Sequence, residues 1–270
     1  MKAYFQLLLL LLYSLASFAQ QQELTLVSWN IRDFGKTKNS KELEQIAEIV
    51  READIVAIQE VVAGYGGAQA VARLTDILNR KGSKWDYVIS NPTNSSKYVT
   101  ERYAFIWRTT NIKIKNRGTL IAALDSEVER EPFTINFYLD QKVLKVINFH
   151  SRPHNKNPET EISAISHHIV NAIKGPVLLA GDFNVMEQDP VFDVLKSKGF
   201  TPVLVDQKTT LKRECIGLNY LNYAIDNIFY SKEIIFLESG VLDFVLTCDQ
   251  LDQARNLSDH LPVFAKFSLN

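Results

Sequence analysis

Seven short polar phrases interrupt an otherwise apolar sequence: SWNIRDFG from residue 28, IQEV from 58, TERYAFIWR from 100, NFHSRP from 148, GDFN from 181, AIDNIF from 224 and SDHLPV from 258. Among their residues are the histidines His150 and His260, the carboxylates Glu60, Glu101, Asp182, Asp226 and Asp259, and the amides Asn30 and Asn184. This is the inventory that hydrolysis of a phosphate ester requires. A hard divalent cation takes oxygen ligands, which Glu60 and nearby carboxylates or amides supply, and it offsets the charge of a pentavalent phosphoryl group. Imidazole titrates near neutral pH, so His150 and His260 suit proton transfer, each oriented by a carboxylate at its second ring nitrogen. Glu101 and Asp226 are the acids free to do that orienting. Asn30 and Asn184 donate hydrogen bonds to phosphoryl oxygens without repelling the substrate. No serine or cysteine has the partners for a covalent intermediate, which leaves direct attack by water.

Each phrase alone has a plainer reading. Gly-Asp-x-Asn is more often an Asx turn than a ligand site, a single histidine is as often a satisfied interior residue, and Asp226 before Asn227 could cap a turn. Seven such phrases in one chain leave these readings little room. The last is the sharpest: Asp259 and His260 stand directly before Leu261-Pro262-Val263-Phe264, which reads as a buried strand, and an acid there must be paired or desolvated.

The elements that would position these residues follow from periodicity. Leu24 to Ile31 reads as a strand. Lys41 to Arg51 has Leu43, Ile46, Ala47, Ile49 and Val50 at helical spacing, with Ser40 as the expected N-cap. Ile55 to Ile58 is a short apolar strand, and Gly66-Gly67 opens a helix over roughly 68–81. Further strands are expected at Trp85 to Ile89, Tyr103 to Trp107, Phe133 to Leu139 and Val143 to Phe149. A helix near Glu159 to Ile173 leads into the strand Val177 to Ala180, with strands at Ala224 to Phe229, Val241 to Leu246 and Val263 to Phe267 after it. Both halves mix helices with long strands, which predicts two packed sheets with helices outside. Asn30, Glu60, His150, Asp182 and Asn184 all follow the C-terminal end of an apolar strand, where open α/β sheets build their sites.

Lys2, the apolar run Leu7 to Leu12 and the small residues Ser17-Phe18-Ala19 form the pattern of a secretory signal peptide over residues 1–19. The reading is therefore of a secreted protein, extracellular or periplasmic, with residues 20–270 as one domain, since no linker or repeat divides them. No later stretch approaches the roughly 20 apolar residues that a membrane span needs. With 30 Lys and Arg against 31 Asp and Glu, the net charge of −1 excludes a partner held by bulk positive charge. An anionic substrate must then be held locally, by a metal ion and a few placed arginines. In an oxidising compartment Cys215 and Cys248 are equally open to a disulfide and to two free thiols.

The phrases NIRDFGKTKNS, IQEV, ERYAFIWR, REP, FHS, GDFN and SDHLPV together resemble, in order and over nearly the whole chain past the leader, the deoxyribonuclease I-like members of the endonuclease/exonuclease/phosphatase superfamily. The resemblance implies an α/β, or α+β, fold: a four-layer α/β-β/α sandwich of two packed, mostly antiparallel sheets with helices on the outer faces. It implies that Glu60 binds the catalytic cation with Asn30 beside it, and that His150 with Glu101 and His260 with Asp226 are the acid–base pair. Asp182, Asn184 and Asp259 would complete the phosphate and metal pocket. Arg32 and Arg130 match the family's DNA-contacting arginines in NIR and REP, and contacts to phosphate carry no sequence information. The implied cofactor is Mg²⁺ or Mn²⁺, with Ca²⁺ a further candidate, although the family's structural calcium sites do not transfer. Val62 stands where the family has an arginine, followed by AGYGGA, which removes one backbone contact. The cysteines do not reproduce the family's spacing, so a bridge, if formed, would be Cys215–Cys248. His154, His167 and His168 match no motif and are expected on the surface or on a helix.

The implied function is a metal-dependent, largely sequence-nonspecific DNA endonuclease, acting as a monomer. The first alternative is a phosphatase or phosphodiesterase of the same superfamily acting on inositol phosphates or phospholipids. Cleavage at abasic sites suits an intracellular enzyme better than an exported one. A binding module that lost its chemistry should lack a histidine or carboxylate of the set, and none is missing.

Overall fold

The computed structural model describes residues 22–270, so the expected signal peptide lies outside the described residues. Six strands form the first sheet: β1 (Glu23–Phe34), β2 (Ile55–Val62), β3 (Trp85–Ile89), β4 (Glu101–Arg108), β14 (Ile234–Val241) and β15 (Val263–Leu269), in the order β14-β15-β1-β2-β4-β3. The second sheet runs β10 (Thr201–Pro202), β13 (Asp226–Tyr230), β9 (Val177–Asp182), β8 (Lys142–His150), β7 (Phe133–Leu139) and β5 (Lys113–Ile114), with β6 (Thr119–Leu120) also on β7. Each sheet has one parallel pair at its centre, β1 with β2 and β8 with β9, and the other pairings are antiparallel. Helices α1 (Ser40–Val50) and α2 (Tyr65–Asn79) pack on the outer face of the first sheet, and α3 (Pro158–Ala172) on that of the second. The four-layer sandwich expected from the sequence is the fold observed.

Strand alternation explains how this sandwich produces a site. Successive residues of a strand point to opposite faces. In β1, Leu24 and Leu26 enter the core between the sheets, while Val27, Trp29 and Ile31 face the helices. The same division separates Ile55 and Ala57 from Val56 and Ile58 in β2, Leu144 and Val146 from Ile147 and Phe149 in β8, and Leu178 and Ala180 from Val177 and Leu179 in β9. Continuing each inward-facing series toward one end of the sandwich gives Ser28 and Asn30, Gln59, Asn148 and His150, and Asp182. The antiparallel neighbours β4 and β13 contribute their first residues, Glu101 and Asp226, to the same end. All of these are at most 7 % exposed. The polar residues are thus the last inward-facing positions of six strands.

Local chemistry moves several boundaries from their expected places. The N-cap of α1 is Asn39, not Ser40, because the Asn39 carboxamide accepts the amides of Lys41 and Glu42 while Glu42 takes the Asn39 amide, a capping box. Helix α2 starts before Gly66-Gly67, which sit in its first turn. Gly66 lies so close to Gly35 that a Cβ on it would be 2.3 Å from the Gly35 carbonyl oxygen, so α2 docks directly on the loop after β1. The strand expected at Val241 to Leu246 is instead β14, which ends at Val241. Past it the Asp243 carboxylate caps the amides of Val245 and Leu246, and Leu246 turns at φ 62°. The hairpin β11 (Leu211–Ile216) to β12 (Asn219–Leu221), the strands β5, β6 and β10, and the short helices α4 (Asp193–Ser197) and α5 (Leu251–Leu257) carry too little periodicity to be read from sequence. Cys215 and Cys248 are bridged, tying that hairpin to the turn before α5. No helix of the described residues is long and apolar enough to cross a membrane.

Candidate active site

Two histidine–carboxylate pairs converge from the two sheets. The Nδ1 of His150, at the end of β8, lies 3.0 and 3.1 Å from the oxygens of Glu101, at the start of β4. The Nδ1 of His260, in the turn before β15, lies 2.9 and 3.1 Å from those of Asp226, at the start of β13. Both Nε2 atoms then face one oxygen, Asp182 Oδ2, at 3.6 Å from His150 and 3.7 Å from His260. The arrangement is nearly symmetric about Asp182. Gly181 makes the central approach possible, since a Cβ there would meet the Phe149 carbonyl oxygen at 1.8 Å.

These groups alter one another's protonation. Burial works against the His260 imidazolium, but the Asp226 and Asp182 carboxylates outweigh it and push the pKa up to about 10. His150 is raised in the same way, burial opposing and Glu101 prevailing. Burial and the nearby Asp226 charge raise Asp182. Glu101 is held below its ordinary value: burial pushes it up, while His150 and Arg130 together pull it down further.

Glu60 reaches the cleft through a break in strand register. The β2–β4 pairing shifts between Ile58 and Val61, and Glu60 adopts φ 59°, a left-handed conformation that a long non-glycine side chain rarely takes. After the buried Gln59, this bulge turns the Glu60 carboxylate toward Asn30 and Asp33. The Asn30 amide donates to Glu60 Oε1 and to Asp182 Oδ2, each at 3.1 Å, and the Asp33 amide donates to Glu60 Oε2 at 3.1 Å. The Asn30 Oδ1 atom is buried and accepts no hydrogen bond from any described residue. A carboxylate beside an unsatisfied amide oxygen is a donor pair that a hard cation fits. A second group, Asp182, Asp226 and His260, has ligand atoms within 4.8 Å of one another. There, however, the Asp226–His260 hydrogen bond already occupies the Nδ1 and carboxylate atoms, so this trio is better matched to proton transfer.

The remaining candidates divide. Asn184 turns at φ 53° with its amide on Asp182 Oδ1 at 3.0 Å, which puts it at the rim beside the central carboxylate. Asp259 is paired with Arg32 at 3.8 Å and Arg255 at 3.6 Å. Arg32 is partly exposed, and its other terminal guanidinium nitrogen donates to the Arg255 carbonyl at 2.9 Å. Arg130 is only 6 % exposed, and its guanidinium contacts are Glu101 at 3.2 Å and the carbonyls of Ser151 at 2.9 Å and Val99 at 3.2 Å. It lines the floor of a cleft of about 250 Å³ together with Glu60, Glu101 and His150. His167 and His168 lie on α3, and His154 lies in the turn before it, where it lines a groove together with Asn184.

Sequence reasoning missed two supports. The Thr209 hydroxyl, fully buried, donates to Asp226 Oδ2 at 2.6 Å and accepts the Asp226 amide at 3.1 Å. Its loop position, 17 residues before Asp226, gives no local signal. Ser258 donates to the Asn30 carbonyl at 2.6 Å and accepts the His260 amide at 3.1 Å, clamping β1 to the turn that carries His260. It stood in the SDHLPV phrase without a role.

Comparison with known proteins finds related sequences and folds. The sequence profile described as Endonuclease/Exonuclease/phosphatase family matches residues 27–260. The chain is 27 % identical to a Deoxyribonuclease of Thioalkalivibrio sp. (strain K90mix), over 98 % of this chain and 76 % of that protein. It is 31 % identical to Deoxyribonuclease-1 of Bos taurus, over 64 % of this chain and 65 % of that protein. Among solved structures, an endonuclease/exonuclease/phosphatase family protein from Bacteroides thetaiotaomicron superposes with a TM-score of 0.65 at 17 % identity, covering 93 % of this chain and 99 % of that one. TDP2 of D. rerio, solved with a single-strand DNA product, superposes at 0.64 with 16 % identity, covering 92 % and 99 %. At such identities the structural likeness speaks to the fold.

Proposed function

The chain belongs to the Endonuclease/Exonuclease/phosphatase family, an enzyme of phosphodiester hydrolysis, and from that premise we infer that it is an exported, divalent-metal-dependent DNA endonuclease of largely sequence-independent action. The observation that carries the reading is the pair of histidine–carboxylate dyads facing one shared aspartate. One imidazole accepts a proton from the attacking water and the other delivers one to the leaving oxygen, so no covalent intermediate is needed. Glu101 and Asp226 hold each ring by Nδ1 so that Nε2 points into the cleft. Asp182, between the two Nε2 atoms, orients both and balances their positive charge. Asn184 donates from the rim to a phosphoryl oxygen.

Glu60 and the unsatisfied oxygen of Asn30 would hold the cation, Mg²⁺ or Mn²⁺ by their hard-oxygen character. When bound, it supplies Lewis-acid stabilisation of the phosphoryl oxygens. Arg32, beside Asp259 at the cleft, is the side chain for backbone phosphate, and such a contact reads no sequence. The leader pattern and the Cys215–Cys248 bridge support export of a single domain over residues 20–270.

The test is nicking of supercoiled plasmid by the mature protein with Mg²⁺, with Mg²⁺ plus Ca²⁺ and with a chelator, beside a phosphoinositide-release assay. Metal-dependent relaxed and then linear DNA, absent with His260→Ala, is expected. Intact plasmid with phosphate released from lipid would transfer the protein to the phosphatase branch of the family.

A further inference from the structure

Beneath the cleft, one step down three of its strands, lies a layer of polar side chains that the reaction does not touch. Ser28 stands two residues before Asn30 on β1, Gln59 directly before Glu60 on β2, and Asn148 two residues before His150 on β8. None is more than 2 % exposed. The core around them, between the two sheets, is apolar, with Ala57, Phe105, Val146 and Ala180 among its members. Gln59 Nε2 donates to Ser28 Oγ at 3.1 Å and to Asn148 Oδ1 at 2.6 Å. Asn148 Nδ2 donates in turn to the backbone carbonyls of Ile58 at 3.1 Å and Ala104 at 3.4 Å. Two carbonyls can be met only by the amide nitrogen, so the Asn148 carboxamide has one orientation, with its oxygen left for Gln59.

The carbonyls that Asn148 holds lie at the foot of the bulge. Ile58 and Ala104 are the last pair of β2 and β4 before the register shifts, and Glu60 stands inside the shift. A side chain of the second sheet therefore grips both strands of the first where they part, and its other partner, Gln59, is the residue next to Glu60. The same strand β8 delivers His150 two residues further on. A core that needed only stability would gain little from these amides, since apolar groups of the same shape in place of both partners of a buried hydrogen bond can be close to neutral. What the amides add is direction. We propose that Asn148 is a positioning residue for Glu60: it ties the bulge that turns this carboxylate into the cleft to the strand that carries His150, so that cation and imidazole are set in one frame. Partners that orient a metal ligand without touching the metal tune its affinity. The inference rests on the nuclease reading, which gives Glu60 the cation, and adds to that site a support that touches neither cation nor substrate.

The test titrates Mn²⁺ onto the mature protein, following free Mn²⁺ by its paramagnetic resonance, and measures plasmid nicking against Mn²⁺ concentration. Wild type is compared with Asn148→Ser, with Gln59→Leu and Asn148→Leu combined, with Glu60→Gln and with Ile165→Val, a core truncation under α3. Each is assayed well below its own melting temperature, and Asn148→Ser keeps a polar group in the core should the double variant not fold. Loss of a group that orients a metal ligand corresponds to roughly 10- to 100-fold in affinity. Asn148→Ser and the double variant should bind Mn²⁺ more weakly by about the lower of these factors. Half-maximal nicking should move to higher Mn²⁺ by the same factor, with the rate at saturating Mn²⁺ near that of wild type, and Ile165→Val should change neither. Unchanged Mn²⁺ affinity in the Asn148 variants, or an equal shift in Ile165→Val, would overturn the proposal while leaving the nuclease reading in place. A lower saturating rate at an unchanged Mn²⁺ constant would also overturn it and leave Asn148 a support of His150 alone. Wild-type Mn²⁺ affinity in Glu60→Gln would overturn both the proposal and the cation assignment on which it rests.

Discussion

Replacing Arg130 separates two roles that the same side chain could play. As a DNA contact it would sit in solvent awaiting a phosphate, whereas the structure buries it to 6 % exposure with its guanidinium on Glu101 and on the carbonyls of Ser151 and Val99. Removing one partner of a buried ion pair costs about 3–5 kcal/mol. Glu101 keeps His150 within 3.1 Å, so the lower end applies, about 3 kcal/mol for Arg130→Met. At about 2–4 °C per kcal/mol for a chain of this size, the melting temperature should fall by roughly 6–12 °C. The loss should also depend on pH. Glu101 is held below its ordinary value, so its stabilising contribution is present above about 4.5 and disappears as pH falls through the lower folded value. Without Arg130 the folded value moves up and acid unfolding should begin at a higher pH. Thermal denaturation across an acid series, with DNA affinity measured against salt on the same samples, tests this. An unchanged melting temperature together with a salt slope shallower by about one phosphate contact would refute the argument and make Arg130 a phosphate ligand.

Three further outcomes follow from the same geometry. His150→Ala and His260→Ala should each lower kcat by about 10²–10⁴-fold at unchanged secondary structure, because each removes a proton-transfer group, and near-normal turnover in either would remove that histidine from the mechanism. Thr209→Val deletes the hydroxyl that donates to Asp226 at 2.6 Å, which should cost about 1–3 kcal/mol and reduce turnover, with Thr209→Ser restoring both. Equal turnover in the valine and serine variants would show that Asp226 needs no such support. In chelator, the imidazolium of His260, with its pKa raised to about 10, contributes stability that is complete below its unfolded value of about 6.5 and is lost as pH rises toward 10. The stability difference between wild type and His260→Gln should therefore shrink across that window; a difference constant from pH 6 to 10, about the width of the raised range, would show that His260 is not so charged.

Much of the site was legible because strand alternation leaves a written trace. An apolar run that ends in Asn, His or Asp at an inward position has to place that group at the mouth of the sandwich, and Asn30, His150 and Asp182 were readable on that ground, as was the order of the principal strands. Glu101 and Asp226 begin their strands and His260 stands in a turn, so their pairing was carried by the family resemblance instead. Arg130 was not, since REP carries no sign that the guanidinium folds inward onto Glu101 rather than outward to DNA. Thr209 was invisible for a related reason: its partner is far along the chain and its neighbours have no period. The β14 boundary was misplaced because Val241 to Leu246 is apolar enough for a strand, while the Asp243 cap that turns the chain is a single residue.

Glu60 joins these threads, because it occupies a conformation its residue type disfavours. Asp33 at φ 52° and Asn184 at φ 53° also turn left-handed around the cleft, but their short side chains tolerate it. A glutamate there costs on the order of 1–3 kcal/mol, offset by the packing of β1, β2 and β4 on both sides of the bulge. An unbulged β2 would keep strict alternation after the inward-facing Gln59 and send the Glu60 carboxylate to the helix face, away from Asn30 and Asp182. The strain therefore converts a strand residue on the wrong face into a cleft residue, held by the Asn30 and Asp33 donors before any cation or substrate arrives. A site prepared in this way does not have to reorganise at the moment of reaction, which is the condition under which fixed dipoles and charges lower a barrier most.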